Sequence, residues 1–407
     1  MESIIKCSAG LDVHKKLIVV TLLKELENGE ISNSVKEFTT YPEELKQLAK
    51  WLLEEKVELA VMESTGVYWK SVYSALETEG VKTHVVNAKH VKQVPGRKTD
   101  INDSCWLASL ARYGLLKASF IPEQELRNLR LLTRYRIKLN GMIASEVNRL
   151  HKILDDSGIR LGVIFSDLQG VSARGIIDGL IKEEPLESLI SKLKGTTKKK
   201  SKQLLAMVDQ PLSSYHKLAL KEISDHIRYL GDTCSRIEAE MFAAMQPYKE
   251  QWQVLQTIPG IDKVSAASII AEIGVDMQRF GSSESFCAWA GMSPGNNESA
   301  GKRKSGRTTK GSPTLRSNLC EIANSAIKTT SQFKGFYQGL MLRRGHKRAV
   351  IAVGHKLLRV IYKLLSTIKS YTDPEVNYEE LVVKRNAPRW IQALTKYGYV
   401  TQAPIAG

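Results

Sequence analysis

At 407 residues the chain has length for about two to three domains, enough to bury real cores without disulfide or metal staples. Its 43% hydrophobic and 25% charged residues exclude a disordered or collagen-like chain. A net charge of +16 favours polyanionic partners, nucleic acid ahead of an anionic membrane surface.

No run approaches the roughly 18 apolar residues of a spanning helix, and the opening MESIIKCSAGLDVHKK lacks the basic-then-apolar order of a signal peptide. A cytoplasmic, nucleoid-associated protein with no membrane partner is expected. Five widely spaced cysteines (Cys7, Cys105, Cys234, Cys287, Cys320) contain no CxxC pair and read as small buried hydrophobes, not as a disulfide framework or zinc site.

Residues 1–120 alternate β-type and helical runs. Ile4–Val13 and Leu17–Leu23 read as adjacent strands and Ser34–Thr39 as a third. Pro42–Glu55 carries Leu45, Leu48, Trp51 and Leu52 at helical spacing, followed by a short buried strand, Leu59–Met62. A helix over Gly66–Thr78, a strand over Val81–Val86 and a helix over Ile101–Tyr113 complete the region. This is the element order of a ribonuclease-H-like α/β domain. From Glu123 to Asp155, Leu126, Leu129, Leu132, Leu139, Ile143, Leu150 and Leu154 recur every three to four residues, as do Leu220, Ile223, Ile227, Leu230, Ile237 and Met241 within Leu218–Met241. The two runs predict an antiparallel, coiled-coil-like helical arm over residues 121–250. Between them, residues 156–214 are less regular, and the Lys-rich Gly195–Lys202 reads as a solvated turn, with a nucleic-acid contact as the alternative. Residues 251–370 form a mainly α C-terminal domain. Pro374 and Pro388 mark residues 371–407 as an extended or loosely attached tail.

Four carboxylates stand out by position. Asp12 lies near the end of the first strand, Glu63 directly follows the buried run LAVM, and Asp100 and Asp103 open the helix after RKT. In a ribonuclease-H-like sheet the first strand is central and lies beside the strand that leads to Glu63, while the D-x-x-D spacing puts two carboxylates on one helix face. Four converging carboxylates supply oxygen ligands for two hard cations flanking a phosphodiester. Singly, such residues are ordinary, and Asp100 and Asp103 also suit a helix N-terminus electrostatically. Their joint placement points to metal.

Further on, IPGIDKVSAASIIAEIG (Ile258–Gly274) has the form of a helix-hairpin-helix, in which backbone N–H groups around Gly260 would cradle a DNA phosphate; an ordinary helix connector is the alternative. The segment Gly291–Arg316 interleaves Lys302, Arg303, Lys304, Arg307 and Lys310 with Gly and Ser, a composition suited to close approach and neutralisation of phosphates. Ser299, Ser305 and Ser312 lie among or beside these cations, where a hydroxyl can attack phosphorus once activated, and composition does not choose among them. A second basic cluster, Arg343, Arg344, Lys347 and Arg348, precedes an apolar helix and suits backbone contacts; His346 and His355 beside it read as surface or packing residues.

AGLDVHKK with Asp12, VMESTGVYW with Glu63 and RKTDINDSCWLA with Asp100 and Asp103 resemble the DEDD motif of the IS110 group of bacterial insertion-sequence transposases, with its related IS1111 elements. The resemblance continues through IPGIDKVSAASIIAEIG, FCAWAGMSPGNNESAGKRKSGRTTKGSPTLR and AVIAVGHKLL, and so spans nearly the whole chain. It implies a DNA recombinase with a RuvC-like N-terminal domain, guided by a structured noncoding (bridge) RNA that pairs with donor and target DNA. It further implies that Asp12, Glu63, Asp100 and Asp103 bind Mg²⁺ and that a C-terminal serine forms a covalent phosphoserine intermediate. Aligned on the Ser-x-Gly-Lys step, that serine is Ser299. Glu298 stands where relatives often carry Ser or Thr, which leaves Ser305 as the fallback. A metal site and a serine on different domains must meet, which favours dimers joining into tetramers with the helical arm at an interface. Two readings compete: a RuvC-like Holliday-junction resolvase or nuclease that uses water, and a nucleic-acid-binding protein with a degenerate domain.

Overall fold

The first strand shows why a sheet forms. In β1 (Cys7–Val13) of the computed structural model, Cys7, Ala9, Leu11 and Val13 are buried on one face and Ser8, Gly10 and Asp12 alternate onto the other. The structure describes residues 3–64, 66–91, 102–208, 211–295, 297–299, 302–305, 307–308, 310–374 and 378–400, with backbone alone for residues 89, 196, 297–299, 302–305, 378–379 and 382. They fall into two compact units, residues 1–124 and 125–407.

In the first unit, β2 (Leu17–Glu25) pairs antiparallel with β1, and β3 (Ile31–Thr39) pairs antiparallel with β2. Helix α1 (Pro42–Glu54) leads to β4 (Leu59–Glu63), which lies parallel to β1; α2 (Trp69–Thr78) then leads to β5 (Thr83–Val86), parallel to β4. The sheet order is β3-β2-β1-β4-β5, so β1 is central. Leu45, Leu48 and Leu52 of α1 and Val72 and Leu76 of α2 bury the Leu11 face. After the short α3 (Ala88–Val91), α4 (Asp103–Arg112) covers the other face with Leu107, Leu110 and Ala111 on Leu59 and Val61. The α/β expectation for this region holds. Helix α4 starts at Asp103 with Asn102 as its N-cap, and Asp100, the other member of the D-x-x-D pair, lies outside the described residues.

The second unit is mostly helical. Helix α5 (Gln124–Asp156) is followed by α6 (Leu161–Ile164), α7 (Val171–Ile181), α8 (Leu186–Ser191), α9 (Ser201–Met207) and α10 (Ser214–Ala244). The partners across α5 and α10 run in opposite order: Arg136 with Glu238 at 2.6 Å, Asn140 with Cys234 at 3.6 Å, Glu146 with His226 at 3.2 Å and Asp156 with His216 at 3.0 Å. Each step forward on α5 meets a step back on α10, so the two helices are antiparallel. Residues 156–214, read from sequence as less regular, are four short helices that close a core of their own with Leu150, Leu154, Ile176, Leu180, Leu204 and Leu220. Gly195–Lys200 is a 3₁₀ turn whose Lys200 Nζ donates to the Ile164 carbonyl at 2.8 Å.

At the other end of the pair, Leu126, Leu129, Met241 and Met245 enter a larger core with α11 (Lys249–Gln256), α12 (Lys263–Ile273), α13 (Ser283–Trp289), α14 (Pro313–Ala326), α15 (Gln332–Arg344) and α16 (His346–Thr367). Helix α12 is buried on nearly all sides, which its small residues Ala266, Ala267, Ser268 and Ala271 permit. The expected extended tail is corrected: α17 (Tyr378–Lys396) runs through Pro388. Proline removes one donor and crowds the carbonyl four residues earlier, and the helix is held by its neighbour, with Leu381 and Arg385 set beside Gly339 and Leu340 of α15.

Candidate catalytic and nucleic-acid sites

Strand register brings two of the expected carboxylates together. Leu11 pairs with Met62 in the parallel β1–β4 ladder, so the next step along both strands sets Asp12 beside Glu63 on one face. That face is the one α4 covers. A Cβ on Gly10 would lie 1.9 Å from the Ser104 carbonyl oxygen and 2.5 Å from the Ala108 nitrogen, so only glycine lets the first turn of α4 rest on β1. Two hydrogen bonds fix the contact: Ser8 Oγ donates to the Ala108 carbonyl at 3.0 Å, and the Thr21 and Ser104 hydroxyls are 2.7 Å apart. Asp103, one residue before Ser104, is thereby carried to the edge of the face that bears Asp12 and Glu63. Asp12 keeps 28% of its side-chain surface and has His14 Nε2 3.1 Å from its Oδ2. Neither Gly10 nor His14 stands out in the sequence. Close helix–strand approach is the signal in a glycine flanked by buried strand residues. Among the described residues, no group of three or more His, Cys, Asp and Glu side chains is arranged to hold a metal ion.

In the second unit, β6 (Asn297–Ser299) and β7 (Lys302–Ser305) form an antiparallel hairpin in a segment where the sequence pattern predicts no strands. Ser299 stands opposite Lys302 and Ser305 opposite Asn297. Lys302, Arg303 and Lys304 lie on β7. The base of the hairpin is closed by the Pro294–Thr308 bridge and by Gly295 N donating to the Arg307 carbonyl at 2.8 Å. Ser312 serves the fold, since its hydroxyl caps α14 by accepting from Leu315 N and lies 3.3 Å from Glu272 Oε2. Glu272, almost fully buried, accepts from Arg134 Nε and Nη2 at 2.8 and 3.0 Å, while Arg130 donates to the carbonyls of Ala271 and Glu272 at the end of α12. Burial holds the Arg130 guanidinium below its usual pKa, against the opposing pull of Glu272.

Gly260 sits between α11 and α12 at φ 89°, and a Cβ there would come within 2.6 Å of the Ala326 nitrogen on α14. The turn needs glycine for its own conformation and packing. The second basic cluster divides. Arg344, Lys347 and Arg348 line a cavity of about 1020 Å³ together with Arg307, Arg316 and His355, whereas Arg343 lies on the α17 side beside Leu381 and Arg385. Lys310 is exposed and does not line the cavity. His355 is half-buried, and burial together with Arg359 lowers its pKa, with Glu284 opposing. The imidazole is neutral at pH 7. Burial pushes the Cys287 thiol up to about 11, as expected of an inert core cysteine. Arg316 and Thr308 carry no signal in the sequence because their meaning comes from a cavity formed by separate helices.

Comparison with known proteins defines the class as transposase for both units. Residues 9–158 match the DEDD IS110 group, described as Transposase, and residues 252–338 match the Transposase IS116/IS110/IS902 family. The chain is 24% identical over 324 residues to the transposase for insertion sequence element IS1111A of Coxiella burnetii, an alignment covering 78% of this chain and 80% of that protein. It is 27% identical over 173 residues, 41% of this chain and 51% of the relative, to a Pseudomonas aeruginosa protein named "Probable family 20 transposase". The chain belongs to the IS110 family of insertion-sequence transposases. Membership implies DNA strand cleavage and transfer. Among the described residues no helix is long and apolar enough to cross a membrane.

Proposed function

We propose that this transposase is an RNA-guided DNA recombinase with a RuvC-like first unit and a serine nucleophile in its second. The observation that carries the reading is the register of Asp12 against Glu63 on the face where α4 begins at Asp103. Asp12, Glu63, Asp100 and Asp103 each offer only oxygen donors, the kind that suit a hard cation, and are the residues that would hold Mg²⁺. When bound, the ion supplies charge neutralisation at the phosphoryl oxygens.

Ser299 is the proposed nucleophile. Its Oγ forms a bond to phosphorus as the bond from phosphorus to a deoxyribose oxygen breaks, and the hydroxyl proton ends on the departing oxygen. Energy is conserved in the phosphoserine link for the later strand exchange. The basic hairpin and the cavity cations bind donor DNA, target DNA and a structured bridge RNA, in keeping with the net charge of +16. The carboxylates and Ser299 lie on different units, and dimers joining into tetramers would bring them together.

The test incubates the purified protein, its element's flanking RNA and labelled donor DNA with Mg²⁺, then denatures the sample and looks for DNA linked to protein. The expected adduct is absent in Ser299→Ala and Asp12→Asn and retained in Ser305→Ala. Free cleaved ends with no adduct, unchanged in Ser299→Ala, would instead establish a nuclease that uses water.

A further inference from the structure

The cavity beside the base of the β6–β7 hairpin, about 1020 Å³, is larger than a surface tracking a duplex backbone needs. Five cations line it, Arg307, Arg316, Arg344, Lys347 and Arg348, and no carboxylate is among its described lining residues. The opening therefore selects anions. Arg316 is not a loose surface cation: it is partly buried, and its Nη1 donates to Thr308 Oγ1 at 2.8 Å, which fixes the guanidinium at the hairpin base.

The remaining walls differ in character. Met292, Phe336, Ile351 and Ala352 supply an aliphatic and aromatic lining, and Met292 is fully buried. The volume of about 1020 Å³ exceeds what phosphate alone requires and is sufficient for a nucleotide. The ligand that meets both kinds of wall carries an anionic group and a flat, apolar-faced one. A stacked base in a duplex does not present its face, whereas a nucleotide out of the stack does.

We propose that this cavity takes one unstacked nucleotide of a nucleic-acid strand, its phosphate on the Arg316–Arg348 side and its base against Phe336 and Ile351. The inference rests on the reading of the second unit as a nucleic-acid interface and adds to it a preference for single-stranded or extruded nucleotides.

The full-length protein is tested with a short oligonucleotide, single-stranded or annealed into a duplex, by fluorescence anisotropy at one fixed salt concentration. Ala352→Phe narrows the cavity and leaves every cation in place. The expected result is a shift of about tenfold in the ratio of the two dissociation constants, against the single strand. In parallel, a single strand carrying 5-iodouracil is photocrosslinked to the wild-type protein, and the adduct is expected on the peptide containing Phe336 or on the one spanning residues 346–355. This second measurement decides the matter if the substituted protein does not fold. An unchanged ratio with crosslinks elsewhere overturns the cavity proposal while leaving nucleic-acid binding intact. Absence of binding to either form overturns both readings.

Discussion

The two units place their chemistry in contrasting ways. In the first, short carboxylates are aimed by backbone: β1–β4 register sets Asp12 against Glu63, and a glycine contact sets the start of α4. In the second, long cationic side chains from the hairpin base, α14, α15 and α16 reach into a shared cavity. Carboxylates repel one another and have short reach, so they need a stiff frame. Arginine and lysine stems cover distance, and a set of them tolerates loss of a member. The contrast predicts sharp, all-or-none residues in the first unit and distributed, graded ones in the second.

The strongest way to break this comparison is Asp12→Asn. Strand cleavage is expected to fall by roughly 10²–10³-fold with DNA binding retained, measured as single-turnover cleavage beside anisotropy. A mild loss would show that the carboxylates are not acting together. Gly10→Ala comes next: its methyl meets backbone that side-chain rotation does not relieve, and urea denaturation should show a loss of about 3 kcal/mol. Glu272→Gln should cost about 2–3 kcal/mol by the same method, because it strips the charge from the doubly bonded partner of Arg134. Arg348→Gln should lower DNA affinity only a few-fold and reduce the slope of log affinity against log salt by about 1.

The smallest effect concerns pH. His84 on β5 and His355 on α16 both have lowered pKa values, each through burial first and then through a neighbouring cation, Lys82 and Arg359 respectively; Glu284 opposes the shift at His355. The unfolded chain takes up these protons as pH falls through about 6.5, before the folded chain does, so their contribution is intact above that value and is lost towards the lower folded pKa. Thermal melts should therefore show His355→Gln losing less stability than wild type on acidification from about pH 7 to 5.

Much of the first unit is legible in sequence. Alternation in β1, the buried run of β4 and the leucine spacing of α1 and of the α5–α10 pair are local patterns, and local patterns survive into structure. Glu63 is the last residue of β4 instead of the residue after it, a shift of one position. The helical region between Asp156 and Ser213 is hard to read because its helices span eleven residues or fewer and are interrupted by Gly158, Gly170, Gly175 and Gly179, too short for a period to register. Helix α17 is hidden by Pro388, whose cost is offset by contacts with α15 that lie far away in sequence. For the candidate site, the sequence marks Asp12, Glu63 and Asp103 but not Gly10, which lets α4 lie against β1. It groups Arg343 with Arg344, although a helix turns successive side chains about 100° apart and sends the two to different cavities.

The 33 residues of α5 correspond to a rod about 50 Å long, paired along its length with α10 and gripped at one end where Arg130 and Arg134 hold the terminus of α12. Such a rod is a lever. A tilt of about 10° at the gripped end would swing the far tip by roughly 9 Å, so a small rearrangement around Glu272 would become a displacement of about two to three nucleotide steps at the Lys-rich turn.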